Sequence, residues 1–187
     1  MLIKKTSLEG CYLLQPKKIE DHRGAFILNF NKKEFEEAIK QKVDFVLENE
    51  SISNYGVVRG LHMQKGQFSQ AKLVRVVHGA ILDVVVDARI DSPTFGETFS
   101  QILSAENNYQ LFIPRGFLHG FSVLQDKTKV NYKCDNYYFP AAEDGVVFND
   151  SDLKIDWKIK QEEVVLSEKD LKLKPFKVFK NLWIGKK

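Results

Sequence analysis

The sequence predicts an all-β fold, a barrel or sandwich of short strands with short helices at its edge. Runs rich in β-branched and aromatic residues recur along most of the chain, each only a few residues long. Turn-forming residues separate them. Few windows show the apolar spacing of an amphipathic helix.

The elements follow in order. Cys11 to Leu14 is one run and Ala25 to Phe30 another. Lys72 to Val77 and Ala80 to Val86 come next, with His78-Gly79 between them as the expected turn of a hairpin. The segment from Ile81 to Ala88 is apolar except for Asp83 and Asp87, the pattern of a central strand covered on both faces. Phe99 to Leu103, Tyr109 to Ile113, Phe121 to Leu124 and Val130 to Cys134 continue the series. One helix is expected after Asn31, which is placed to cap it, with Glu34 three residues on and Phe35, Ala38 and Ile39 as its apolar stripe. Ser167 to Leu171 reads as a second helical turn, capped by Ser167 with Asp170 three residues later. The basic tail from Lys172 carries Phe176, Phe179 and Trp183 and is expected to pack on the outside of the fold or on a partner. The expected organisation is a single domain over residues 1–187 with a C-terminal extension from about 171.

Composition narrows the function. With 43% hydrophobic and 28% charged residues, the chain reads as soluble and globular. A net charge of +3 is too small to argue for a nucleic-acid partner. No apolar run approaches membrane-spanning length and no cleavable leader pattern opens the chain, so no membrane partner is expected and a cytoplasmic location is. Cys11 and Cys134 form no CxxC and read as small core residues, in keeping with a reducing compartment.

Some polar residues stand where the strand pattern does not require them. His62 lies in Val58-Arg59-Gly60-Leu61-His62-Met63-Gln64, and His119 in Ile113-Pro114-Arg115-Gly116-Phe117-Leu118-His119-Gly120-Phe121. A neutral, oriented histidine can take a carbon-bound proton near neutral pH. A satisfied core histidine is the structural alternative, and the pattern alone does not choose. No H-x-H or H-E-x-x-H occurs, so no metal is expected. Arg23, Arg59, Lys72, Arg75 and Arg115 lie near or within apolar segments, where they suit phosphate recognition or internal ion pairs. Neither a dinucleotide fingerprint nor a Walker loop is present, so side chains would have to hold any phosphate. Tyr132, Tyr137 and Tyr138 cluster; a buried tyrosine hydroxyl can donate a proton, or simply pack.

Further ordered stretches are Asp21-His22-Arg23-Gly24, Lys72-Leu73-Val74-Arg75, Asp83-Val84-Val85-Val86-Asp87-Ala88-Arg89 and Ser92-Pro93-Thr94-Phe95-Gly96. Tyr132-Lys133-Cys134, Tyr137-Tyr138 and Leu166-Ser167-Glu168-Lys169-Asp170 complete the set. Together with the two histidine segments, and in this order, they resemble the dTDP-4-dehydrorhamnose 3,5-epimerase family over roughly Leu2 to Asp170. The resemblance implies a cupin-type double-stranded β-helix, or jelly roll, and a homodimer that uses no metal and no cofactor. The implied substrate is a nucleotide sugar: dTDP-4-dehydro-6-deoxy-D-glucose would be converted to dTDP-4-dehydro-L-rhamnose.

Roles are implied residue by residue. His62 resembles the base, Asp170 its paired carboxylate, Tyr132 the acid on the opposite face and Lys72 the cation at the sugar carbonyl. Tyr138 resembles a tyrosine lining the sugar pocket. Arg23, Asn49, Arg59, His119, Glu143 and Lys169 resemble contacts to nucleotide, diphosphate or sugar. The chain departs from the family pattern at Leu28, usually acidic, and at Leu47, usually glutamine. Glu48 stands for an aspartate and Glu50 for a histidine. Leucine cannot make the hydrogen bonds of the residues it replaces. The alternatives are a 3-epimerase, an epimerase of another nucleotide-linked 4-keto-6-deoxy sugar and, in a different class, a non-catalytic nucleotide-sugar-binding module.

Overall fold

The computed structural model describes residues 1–184, and side chains as far as Lys180. Its strands are β1 (Leu2–Lys5), β2 (Tyr12–Gln15), β3 (Lys17–Asp21), β4 (Gly24–Leu28), β5 (Leu47–Ser53), β6 (Val58–Gln64) and β7 (Lys72–His78). They continue with β8 (Ala80–Asp87), β9 (Thr98–Ser104), β10 (Gln110–Ile113), β11 (Phe117–Val123), β12 (Thr128–Cys134) and β13 (Glu143–Gly145). Helices α1 (Lys32–Ile39) and α2 (Phe176–Ile184) are peripheral. A six-stranded sheet in the order β1-β2-β10-β7-β12-β5 faces a five-stranded sheet in the order β13-β6-β11-β8-β9, and β3 and β4 form a separate hairpin. All the named strand pairs are antiparallel. This is the expected cupin-type jelly roll, two sheets enclosing an interior that side chains can line.

Strand periodicity explains the core. Ile81 and Val85 of β8 meet Val74, Val76, Leu111 and Val130 of the other sheet in the interior. Leu82, Val84 and Val86 point the other way, where the C-terminal segment covers them with Trp157, Phe176 and Phe179. Every residue of β8 is therefore buried, as its near-continuous apolar run predicts. Full burial of each valine is worth about 1.5–3 kcal/mol. The two aspartates of this strand carry the opposite cost and need partners. Asp87 has them: Arg89 donates to both its oxygens at 2.9 and 2.6 Å, and Ser92 and Thr94 hydroxyls donate at 2.5 and 2.7 Å.

α1 begins where expected. The Asn31 side chain accepts from the Lys33 and Glu34 amides, and Phe35 and Ile39 are buried. Ala38, expected in the apolar stripe, is exposed. His78-Gly79 does not turn a hairpin. β7 and β8 lie in different sheets, so the chain crosses the barrel at this corner. Gly79 holds φ +78, and a Cβ there would lie 2.1 Å from Thr128 Oγ1. The tail forms α2 and packs on its own chain through Phe176 and Phe179. The side chain of Trp183 lies outside the described residues. No helix among the described residues is long and apolar enough to cross a membrane.

Gly60 lies at a close approach of the two strands that carry the histidines. Its φ is +103, and an added Cβ would meet His119 O at 2.5 Å and Gly120 Cα at 2.7 Å. Gly60→Ala is expected to cost about 1–3 kcal/mol or more. Thermal denaturation should show a fall in Tm of roughly 2–4 °C for each kcal/mol. An unchanged Tm would mean that β6 and β11 can separate without loss.

Candidate active site

The open end of the barrel gathers polar side chains from both sheets. His62 and His119 are cross-strand partners on β6 and β11 and so project from one face. Across the interior, β7 supplies Lys72 and β12 supplies Tyr132, with Asn49 of β5 directly opposite Tyr132. β13 pairs with β6 and brings Glu143 alongside. A parallel bridge between Val57 and Val165 holds the following loop against the barrel rim. In that loop the Asp170 amide donates to Ser167 Oγ at 3.1 Å, the expected cap, ahead of a helical turn over Asp170–Lys172.

These groups line two adjoining cavities of about 430 and 320 Å³ that share His62, Lys72 and Tyr132. Arg59, His119, Lys169 and Asp170 line the first; Asn49, Tyr138, Glu143 and Leu47 line the second. Arg23 lines neither. It sits on the β3–β4 hairpin, with an exposed guanidinium 2.6 Å from Asp21. Leu28 is exposed on the same hairpin. Arg75 and Arg115, weighed as phosphate ligands, line neither cavity. His22 and His78 are exposed.

His62 Nε2 donates to Asp170 Oδ1 at 2.5 Å, and its Nδ1 lies 3.9 Å from Glu143 Oε1. Burial pushes the Asp170 carboxyl up, but the hydrogen bonds and charge from His62 outweigh it and hold the group below its ordinary range. Glu143 behaves alike: burial raises it, and Lys169, Tyr138 and His62 bring it down. Its Oε2 accepts from Lys169 Nζ and Tyr138 Oη, each at 2.5 Å. Burial lowers Lys72, against the pull of Cys134, Asp83 and Glu143. Burial raises the Tyr132 hydroxyl, so it stays protonated above the usual tyrosine range. Arg59 donates to Ser53 Oγ at 3.3 and 3.1 Å.

Two contributors escaped the sequence reading. Gln64 is buried; its amide donates to Phe68 O and Tyr137 O at 2.8 and 3.0 Å and accepts from the Phe139 amide at 2.5 Å. It ties down the loop that carries Tyr138. Asp83 lies under His119, with Oδ1 2.7 Å from Nε2. Its signal was a carboxylate in the middle of an otherwise apolar run, Ala80 to Val86. Among the described residues, no group of three or more His, Cys, Asp or Glu side chains is arranged to hold a metal ion.

Fold and pocket together define a cupin-type protein whose barrel end gathers ionisable groups around a small-molecule cavity. The sequence model described as dTDP-4-dehydrorhamnose 3,5-epimerase matches residues 5–178. The chain is 45% identical over 171 residues to the dTDP-4-dehydrorhamnose 3,5-epimerase of Shigella flexneri, covering 91% of this chain and 93% of the relative. The crystal structure of the Elizabethkingia anophelis enzyme of that name superposes with a TM-score of 0.92 at 49% identity, over 95% of this chain and 97% of the other. A Legionella pneumophila dTDP-6-deoxy-D-glucose-3,5-epimerase in complex with dTDP-4-keto-L-rhamnose matches with a TM-score of 0.90 at 42% identity, over 95% and 93%. The chain belongs to the dTDP-4-dehydrorhamnose 3,5-epimerase family and is an isomerase.

Proposed function

We propose that the protein epimerises dTDP-4-dehydro-6-deoxy-D-glucose at C3 and C5, giving dTDP-4-dehydro-L-rhamnose. The observation that carries this reading is the His62–Asp170 pair, at 2.5 Å, facing Lys72 and Tyr132 from the opposite sheet across shared cavity space. The C4 ketone acidifies the hydrogens on both neighbouring carbons. His62, donating Nε2–H to Asp170, keeps its lone pair on Nδ1 and takes one of these protons. The C–H electron pair moves into the ring and charge develops on the C4 oxygen. Lys72 stabilises that charge more in the transition state than in the ground state. Tyr132 Oη–H delivers a proton to the other face and the carbon inverts. Solvent then reprotonates the tyrosinate and takes the proton from His62. The second carbon follows the same course, with no redox step.

Arg59, His119 and Lys169 in the first cavity suit the diphosphate and sugar hydroxyls. Asn49, Tyr138 and Glu143 complete the second. Arg23 fits its expected phosphate role in a homodimer, where a second copy would present the hairpin to this cavity. The exposure of Ile19, Phe26 and Leu28 on that hairpin supports such an interface. A cytoplasmic location fits the two free, buried cysteines. A second reading rests on Leu47, which gives the second cavity an apolar wall where the family has an amide. It is single-carbon epimerisation or a different nucleotide sugar.

Incubation with dTDP-4-dehydro-6-deoxy-D-glucose in heavy water, followed by proton NMR, separates these readings. Deuterium at both C3 and C5 with formation of the epimer is expected. Deuterium at C3 alone means a 3-epimerase. No deuterium with retained binding means a non-catalytic module. Neither binding nor exchange sends the search to other nucleotide sugars.

A further inference from the structure

We propose that Asp83 is a positioning residue beneath the site, fixing the proton of His119 on Nε2 and supplying a buried counter-charge to the Lys72 ammonium. This rests on the epimerase reading above. Asp83 is fully buried, between the inward-facing apolar residues Ile81 and Val85 of its strand. Burying a carboxylate costs several kcal/mol unless its oxygens are satisfied. Asp87, four residues along the same strand, meets that requirement with an arginine and two hydroxyls. Asp83 does not. His119 Nε2 lies 2.7 Å from Oδ1, while Oδ2 is buried and receives no hydrogen bond among the described residues. A side chain kept for packing alone would be better replaced by an apolar one.

Two consequences follow from where it sits. A carboxylate accepts only, so the proton shared with His119 belongs on Nε2, and Nδ1 is left as an acceptor. His119 lines the first cavity, so that acceptor is available to a sugar hydroxyl. The second consequence concerns Lys72, whose ammonium makes no hydrogen bond or ion pair among the described residues. The charged and titratable groups facing it are Asp83 from β8, Glu143 from β13, Cys134 and Tyr132 from β12, and His62 and His119 from β6 and β11. Burial lowers its pKa, and its interactions with Cys134, Asp83 and Glu143 oppose that. Loss of the Asp83 charge therefore lowers it further, and the ammonium is lost at a lower pH.

The test compares kcat, KM and the kcat–pH profile of the parent and Asp83→Asn, a nearly isosteric change. The expected result is a kcat about 10–100-fold lower, with little change in KM. The alkaline limb should move down by about one pH unit. In a Lys72→Arg background, where the cation does not titrate, Asp83→Asn should not move that limb. An unmoved limb in the Lys72 parent, whatever the change in kcat, overturns the proposal. If Asp83→Asn does not fold, nitrogen-15 NMR of His119 in the unaltered protein decides. The Nε2–H tautomer supports the proposal and the Nδ1–H tautomer overturns it. A parent protein that turns over no substrate defeats the epimerase reading instead, and the tautomer measurement still tests Asp83.

Discussion

Replacing His62 with asparagine is expected to abolish deuterium uptake at C3 and C5 while leaving nucleotide-sugar binding intact. Asparagine keeps an N–H donor for Asp170, so the buried carboxylate, 2.5 Å from the ring in the native protein, is not stranded. It has no lone pair that accepts a proton near neutral pH. A positioned general base contributes about 10²–10⁴-fold, and a rate loss in that range is expected. The pH profile adds a check. Asp170 and Glu143 are both held below the ordinary carboxylate range, so both stay ionised well below neutrality. Activity lost just on the acid side of neutrality is therefore not theirs. Exchange persisting within tenfold of the parent rate would transfer the base role, with Glu143 Oε1 at 3.9 Å from Nδ1 as the next group to test.

The legible parts of the sequence are those where one physical demand acts alone. β8 and β10 bury apolar side chains and announce themselves by composition. β5 was invisible for a functional reason. Its inward residues are Leu47, Asn49, Ser51 and Ser53, because much of that face lines the cavity rather than the core. β6 carries alternation interrupted by Gly60, whose backbone must fit against His119 and Gly120. The corner at Gly79 looked like a hairpin because a positive-φ glycine serves either geometry, and only tertiary packing sends β8 to the other sheet. α2 is capped from far away: its Phe176 amide donates to Asp150 Oδ2 at 2.7 Å, a partner that local sequence does not reveal.

The site divides in the same way. His62 and His119 stood out as polar residues among glycines, and their shared register now explains the common face. The carboxylate partner of His62 lies 108 residues away, beyond any local pattern, and only the family resemblance pointed to Asp170. Arg23 came from the same resemblance, yet its hairpin places it outside both cavities of its own chain. The proposed presentation of Arg23 to a second copy has no mark in the local sequence.

Tyr132→Phe should separate proton removal from inversion. The substitution deletes one oxygen and keeps the ring, which packs against the buried interior cluster. Burial holds the native hydroxyl protonated above the usual tyrosine range, with the nearby Arg59 charge pulling the other way, so at neutral pH it is an acid. His62 remains in the variant. It can still remove a proton, exchange it with solvent and return deuterium to the same face. Deuterium should therefore appear at C3 or C5 without inversion, while epimer formation falls about 10²–10⁴-fold. Proton NMR of the recovered sugar distinguishes the outcomes, since labelled starting material and labelled epimer differ in ring couplings. Epimer formed at near the parent rate would assign the donor elsewhere. Tyr138 is a poor substitute, because its hydroxyl is already given to Glu143 at 2.5 Å. Loss of exchange along with inversion would mean that Tyr132 also orders the substrate against His62, making the two facing walls one catalytic unit rather than a base and an acid acting in turn.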